Sequence, residues 1–175
     1  TVEYVQLDDG GDTTRAVQNV KRLVQQDNVD ALIGPSTTPN ALAMLDIIAE
    51  AKVPVMATVG TSAVVEPMDD KKRWVFKTTQ NDALISDALI AHMQKTGVKT
   101  VGFIGFNDPY GENWHKVFSG LAEKQGIRIV ANERFARTDQ SVTGQALKLV
   151  AAKPDAVLIA AVGGPAVLPQ ATLFD

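Results

Sequence analysis

Strand-like and helix-like segments alternate along the whole chain, and this alternation restricts the fold more than any other feature. Short apolar segments, such as residues 29–33, 53–56 and 101–106, predict strands. The longer segments between them carry apolar residues at helical spacing. Strands that alternate with helices are joined by crossovers, which produce parallel sheets with helices packed on them. The sequence therefore predicts an α/β protein with parallel sheets flanked by helices.

The alternation runs through two similar series, which meet near residues 77–80. Each series has the order strand, helix, strand, helix, strand. We therefore expect two Rossmann-like lobes, with residues 1–79 in lobe one and residues 80–175 in lobe two. The first series opens inside a strand predicted at residues 2–7, with no signal-peptide pattern before it.

Composition and motifs exclude several function classes. The formal net charge is −3, with 17 Lys+Arg against 20 Asp+Glu, which argues against a nucleic-acid partner. The chain has no Cys, so disulfides, thiolate metal sites and cysteine nucleophiles are excluded. No phosphate-binding glycine loop, zinc motif or serine-hydrolase motif is found, and His92 and His115 are isolated. The sequence therefore favours a binding protein without a cofactor or metal over an enzyme.

One candidate loop, residues 34–39, lies between a predicted strand and a predicted helix. In open α/β sheets, ligands bind beyond the carboxyl ends of the strands. Thr38 is the expected N-cap of the helix and Pro39 its first residue. Ser36 and Thr37, with the free N–H groups of the helix start, suit a carboxylate or phosphate. Hydroxyls that only cap the helix explain this loop equally well.

Two further loops follow strands in the same way. In residues 58–63, Gly60 lets the backbone approach a ligand, and Thr61 offers a hydroxyl beside it. By itself this loop is more typical of a cap, but two such loops after neighbouring strands can converge on one anion. In residues 107–111, Tyr110 begins a helix and directs a large ring beyond the sheet edge. Asp8 and Asp9, by contrast, are interpreted as turn residues.

The order and spacing of several segments resemble those of a known family. The chain resembles the substrate-binding proteins of branched-chain amino acid ABC transporters, the Leu/Ile/Val-binding group of type I periplasmic binding proteins. The segments that carry the resemblance are Val5-Gln6-Leu7-Asp8-Asp9, Ala31-Leu32-Ile33-Gly34-Pro35-Ser36-Thr37-Thr38, Val53-Pro54-Val55-Met56, Phe76-Lys77-Thr78-Thr79 and Asn107-Asp108-Pro109-Tyr110-Gly111.

The resemblance implies a two-lobed clamp that closes on an amino acid or similar small carboxylate and presents it to an ABC transporter permease. It implies a periplasmic or extracytoplasmic location and no cofactor. The ligand carboxylate would be held by Ser36, Thr37, the backbone of Val59 and Thr61, while Tyr110 would cover the ligand. Aliphatic amino acids, small amides and aromatic or aliphatic carboxylates all remain candidate ligands. The alternative is a ligand-sensing domain of the same fold in a transcription regulator or signalling receptor.

The resemblance also implies that both lobes are incomplete. Family members are longer, and the first strand and helix of lobe one would precede Thr1. The acidic residue that often pairs with a ligand ammonium would follow Asp175, and residues 162–164 lack the second aromatic side chain often found there. A sheet without its first strand exposes an edge, so we expect self-association through that edge.

Overall fold

The computed structural model describes residues 1–174, which divide into two compact units, Thr1–Gln80 and a second unit that begins at Asn81. Each unit contains a three-stranded sheet in which all pairings are parallel. The predicted α/β class, with parallel sheets flanked by helices, is confirmed. Within residues 1–174, no helix combines the length and apolar character that crossing a membrane requires.

The sheet of the first unit has the strand order β1-β2-β3. Its elements, in chain order, are α1 (Thr13–Gln25), β1 (Leu32–Ile33), α2 (Thr38–Ala51), β2 (Val55–Ala57) and β3 (Val75–Lys77). Short 3-10 turns occupy Ser62–Val64 and Lys72–Trp74. All three strands are short, so the loops at their carboxyl ends form much of this unit.

One face of this sheet is buried and the other is open. Leu32, Val55 and Val75 lie opposite one another in register and are buried in the core that α1 and α2 cover. The next residue of each strand points to the other face, because side chains alternate along a strand. These residues are Ile33, Met56 and Phe76, which are 75%, 51% and 57% exposed. The first sheet therefore presents a row of apolar side chains to solvent.

The sheet of the second unit has the order β5-β4-β6, so β4 is its central strand. The elements are α3 (Asp82–Lys95), β4 (Thr100–Phe106), α4 (Pro109–Lys124), β5 (Arg128–Phe135), α5 (Thr143–Ala151), β6 (Ala156–Ala160) and α6 (Val167–Phe174), with a 3-10 turn at Gly164–Ala166. Every residue of β4 after Thr100 is buried, as the unbroken apolar run predicted.

The structure differs from the predicted elements at several boundaries. Residues 2–7 are not a strand, because a strand requires a hydrogen-bonded neighbour and these residues do not join the first sheet. The strand predicted at residues 29–33 is shorter, because only Leu32–Ile33 pairs with β2. Before α5, Asp139 closes a turn by accepting from the backbone N–H of Ala136 at 2.8 Å.

Candidate functional site

Three loops of the first unit meet at the carboxyl ends of β1, β2 and β3. The Thr58 hydroxyl donates to the carbonyl oxygen of Pro35 at 3.1 Å, which joins the loop after β2 to the loop after β1. The Thr79 hydroxyl donates to the carbonyl oxygen of Val59 at 2.5 Å, which joins the segment after β3 to the same loop. The parallel topology therefore brings the two predicted hydroxyl-rich loops together.

The start of α2 differs by one residue from the prediction. Thr37 is the N-cap, with φ −114° and ψ 140°, and its carbonyl accepts the first helical bond from Ala41 N–H at 3.1 Å. Thr38 is therefore the first helical residue rather than the cap. The Thr37 side chain makes no capping hydrogen bond. The residue two positions after the cap is Pro39, which has no N–H to donate to it.

Unpartnered polar atoms gather in the first turn of α2. The hydroxyl oxygens of Thr37 and Thr38 and the side-chain nitrogen of Asn40 are buried, and none has a hydrogen-bond partner among the described residues. Thr38 is 2% exposed and Asn40 is fully buried. The other amide atom of Asn40, its oxygen, accepts from the Thr13 hydroxyl at 3.1 Å. A buried polar group without a partner is unfavourable, so this turn is suited to an added acceptor.

Thr38 and Asn40 were not predicted as site residues. Pro39 in the first turn of α2 is a sequence signal for the unpaired cap at Thr37, because it removes one backbone donor, but it does not mark Thr38 or Asn40. Ser36, which was predicted, is exposed just before the cap. Ser36, Thr37 and Thr38 therefore offer consecutive hydroxyls at the positive end of a helix.

In the second loop, both predicted residues are buried. Thr61 is fully buried, and its hydroxyl oxygen accepts from the backbone N–H of Ala63 at 3.2 Å, which starts the 3-10 turn at Ser62–Val64. This bond uses the oxygen as an acceptor and leaves the hydroxyl proton available for donation. The Val59 side chain is packed in the core of the first unit, so only its backbone is suited to polar recognition.

Tyr110, the predicted residue of the second unit, lies in the first turn of α4. Its ring centroid is 6.3 Å from that of Phe106 and 6.5 Å from that of Trp114. Burial raises the pKa of the Tyr110 phenol, and the nearby Asp82 carboxylate raises it further. The phenol is therefore neutral at physiological pH and can donate a hydrogen bond.

A buried polar cluster that the sequence reasoning missed lies between α3 and α4. Asp82 is 1% exposed and accepts a hydrogen bond from the side-chain amide of Asn113. The hydroxyl of Ser86 is buried, with no partner among residues 1–174. At the start of a predicted helix, Asp82 has the pattern of an ordinary first-turn acid, so the sequence gives no signal of its burial.

His115 packs edge-on against Phe103, with 5.1 Å between the ring centroids. Burial lowers the pKa of the imidazole, and the positive charge of Arg134 lowers it further. A packed, neutral ring explains this residue without a ligand. Among residues 1–174, no three His, Asp or Glu side chains come together in a group that could hold a metal ion.

Asp8 and Asp9 are turn residues, as predicted. The Asp8 carboxylate accepts from Gly10 N–H at 2.8 Å and the Asp9 carboxylate from Gly11 N–H at 2.7 Å. Each therefore bonds the backbone two residues further on, which is typical of an Asx turn.

Comparison with known proteins assigns the chain to a family. The sequence model of the family described as "Periplasmic binding protein" matches residues 1–174. The chain belongs to this family. A solved extracellular ligand-binding receptor from Rhodopseudomonas palustris HaA2 is 48% identical, with a TM-score of 0.95 over 98% of this chain and 48% of the receptor. The type I periplasmic binding protein fold predicted from the resemblance is confirmed.

More distant periplasmic binding proteins share the fold. A leucine binding protein, LivK, from Thermotoga maritima is 22% identical, with a TM-score of 0.82 over 90% of this chain and 44% of that protein. A solute binding protein of an ABC transporter from Rhodopseudomonas palustris HaA2, solved with p-hydroxybenzoic acid, is 20% identical, with a TM-score of 0.89 over 99% of this chain and 47% of its own. The chain thus spans about half the length of these periplasmic binding proteins.

These relatives are described as extracellular or periplasmic binding proteins and receptors for small ligands, not as enzymes.

Proposed function

We propose that this chain forms part of an extracytoplasmic solute receptor that clamps an amino acid or similar small carboxylate and delivers it to an ABC transporter permease. The observation that carries the proposal is the first turn of α2, where the Thr37 and Thr38 hydroxyls are buried without partners. Two loops after neighbouring parallel strands meet beside this turn. A binding role gives these unpaired donors an acceptor.

The chemistry favours a carboxylate as that acceptor. A buried anion needs several donors in fixed positions, and a helix N-terminus supplies both positive potential and free N–H groups. In this proposal Ser36, Thr37, the Val59 backbone and Thr61 surround the carboxylate. Thr38 joins them, since its hydroxyl is also buried without a partner.

Tyr110 contributes the second part of the proposed site. Its neutral phenol combines an apolar ring with a hydrogen-bond donor, which suits it to cover an aliphatic or aromatic ligand. The relatives solved as a leucine binding protein and in complex with p-hydroxybenzoic acid motivate both ligand classes as probes. Delivery to a permease is part of the proposal, and its motivation is the description of the relative bound to p-hydroxybenzoic acid as a solute binding protein of an ABC transporter.

The test is isothermal titration of the full-length protein with L-leucine and with p-hydroxybenzoate. We expect at least one to bind, and we expect Thr61→Ala and Tyr110→Ala each to weaken it by about tenfold or more, because each removes a buried donor or a covering ring. Ser119→Ala is the matched control, since its hydroxyl donates to the Lys116 carbonyl oxygen at 3.4 Å on the exposed side of α4.

Two results would contradict the proposal. The site assignment is wrong if a probe binds and neither Thr61→Ala nor Tyr110→Ala changes its affinity. The receptor function is wrong if bound carboxylate is chemically converted during the titration, which analysis of the recovered probe would reveal.

A further inference from the structure

The first turn of α4, which carries Tyr110, is fixed by a carboxylate with two different partners. One oxygen of Asp108 accepts from the backbone N–H groups of Tyr110 and Gly111, at 2.8 and 3.2 Å. The other oxygen accepts from Nε of Arg137 at 2.7 Å. The same side chain therefore caps the helix and forms an ion pair with a residue that follows β5.

Arg137 is itself held in place from two directions. Its guanidinium carbon lies 4.1 Å from the centroid of the buried Phe106 ring, which is stacking distance for a cation over an aromatic face. The ion pair with Asp108 is partly shielded from water, with the two side chains 29% and 17% exposed. Nη2 of Arg137 is buried with no partner among the described residues, so Asp108 is the acceptor on which this cation depends.

The backbone around this cluster leaves little room for an alternative arrangement. A Cβ atom at Gly111 would lie 1.9 Å from the carbonyl oxygen of Phe106, so the first turn of α4 is pressed against the end of β4. Asn107 N–H donates to the Phe135 carbonyl oxygen at 2.9 Å, which ties the loop after β4 to the end of β5. These contacts fix the backbone from which the Tyr110 side chain extends, and the ring itself packs beside Phe106.

We propose that Arg137 is a positioning residue that fixes Asp108 and, through it, the orientation of Tyr110. This inference rests on the proposed function, in which Tyr110 covers the ligand. Without the guanidinium, one Asp108 oxygen loses its charged partner and the Phe106 face loses its cover. The Asp108 side chain and the Phe106 ring are then held less firmly, and the Tyr110 ring beside them samples more than one direction.

A direct test uses the two tyrosines of the chain, Tyr4 and Tyr110, as fluorine probes. In the full-length protein labelled with 3-fluorotyrosine, resonances are assigned with Tyr4→Phe and Tyr110→Phe. We expect Arg137→Gln to shift and broaden the Tyr110 resonance while Tyr4 stays unchanged. Arg137→Lys, which keeps the charge but not the planar fork, should give a smaller change.

Arg134→Gln is the matched control. Arg134 lies on β5, pairs with Glu112 of α4 at 2.6 Å, and has its guanidinium carbon 5.0 Å from the centroid of the Phe103 ring. Its loss should leave the Tyr110 resonance in place. The inference is overturned if Arg137→Gln leaves the Tyr110 resonance unchanged, or if Arg134→Gln moves it as much.

A double-mutant cycle tests the consequence for binding, using L-leucine or p-hydroxybenzoate, whichever binds. We expect Arg137→Gln to weaken binding by roughly tenfold in the wild-type background and to have no further effect when Tyr110 is already Ala, because coupled residues are not additive. Additive losses would overturn the positioning role. Tyr110→Ala without effect would instead refute the proposed function, so the two failures are distinguishable.

Discussion

At the scale of single residues, Thr38 shows how burial and function can oppose each other. Its hydroxyl is buried in the first turn of α2 and makes no hydrogen bond within the described residues. A hydroxyl in that state reduces stability, so a purely structural account gives no reason for Thr over Val at this position. In the proposed function, a bound carboxylate provides the acceptor that the Thr38 hydroxyl lacks in the folded chain.

We therefore predict that Thr38→Val lowers ligand affinity while leaving the melting temperature unchanged or raising it. Thr96→Val is the control, because the Thr96 hydroxyl donates to carbonyl oxygens at the end of α3, including that of His92 at 3.0 Å. That change should cost up to about 1 kcal/mol of stability and leave affinity intact. A Thr38→Val protein that melts lower and binds normally would refute the role.

The sequence identified some of the candidate site residues and missed others. The small polar loops after strands are visible as Ser, Thr and Gly between apolar segments, so Ser36, Thr37 and Thr61 could be identified as candidates. The burial of Asp82 could not, because it depends on α4 delivering Asn113 from 31 residues away. The same holds for Arg137, whose partner Asp108 lies 29 residues earlier.

At the scale of secondary-structure elements, α4 depends on a close approach at Gly111. Any side chain there would meet the Phe106 backbone, as the 1.9 Å approach of a Cβ shows. We predict that Gly111→Ala destabilises the protein by about 2 kcal/mol or more through overpacking against rigid backbone.

Gly120→Ala in the same helix is the control for this prediction. A Cβ at Gly120 would meet nothing within 4 Å. Ala at this position should therefore raise the free energy of unfolding by roughly 0.5–1 kcal/mol, because Ala has a higher helix propensity than Gly. Urea unfolding measures both variants. Equal effects of the same sign would contradict the account of this helix start.

The hydrogen bonds of Asp155, which lies between β4 and β6, predict that the stability of the fold depends on pH. Asp155 precedes β6, and one of its oxygens accepts from the N–H of Lys99 at 2.9 Å and from the N–H and hydroxyl of Thr100, each at 2.8 Å. The backbone N–H of Lys99, then the Thr100 groups, lower the pKa of Asp155 below its ordinary value of 3.8. A pKa that is lower in the folded state stabilises the protein above the unfolded pKa, and this contribution is lost as pH falls through the folded pKa.

Asp155→Asn should therefore melt below the wild type at pH 7, and the difference should shrink as the pH falls below about 4, where the unfolded carboxyl is protonated. Asp70 is exposed, so Asp70→Asn serves as the control. Its melting temperature should equal that of the wild type both at pH 7 and at acidic pH. A difference in melting temperature between Asp155→Asn and the wild type that stays constant down to pH 2 would contradict the ionic origin of this stabilisation.

At the scale of the whole molecule, alternation of strands and helices was sufficient to predict the fold class, because apolar β4 and the amphipathic helices each carry a strong periodic signal. It failed for residues 2–7, since alternation alone cannot say whether a strand finds a hydrogen-bonded neighbour. The exposure of the row formed by Ile33, Met56 and Phe76 could not be predicted either, because apolar residues on parallel strands are expected to be covered on both faces of the sheet.

That row, together with the edge strand β1, supports the predicted self-association. We expect the 175-residue chain, produced by itself, to form oligomers at high concentration, and Ile33→Lys to reduce them by placing a charge on the edge. Leu147→Lys, at an exposed position of α5, should not reduce them. Light scattering from a chain that stays monomeric at every concentration would contradict the prediction.

The central claim is that the molecule holds a small carboxylate, and a thermal-shift series on the full-length protein tests it most directly. The panel contains aliphatic amino acids, small amides and aromatic carboxylates. Each carboxylate is compared with the alcohol that has the same carbon skeleton. A ligand that binds only the folded state should add about 2.7 kcal/mol at 100 times its dissociation constant. The account predicts that one class of carboxylates raises the melting temperature and that the matching alcohols do not. Carboxylates that leave the melt unchanged, or alcohols that raise it equally, would contradict the account.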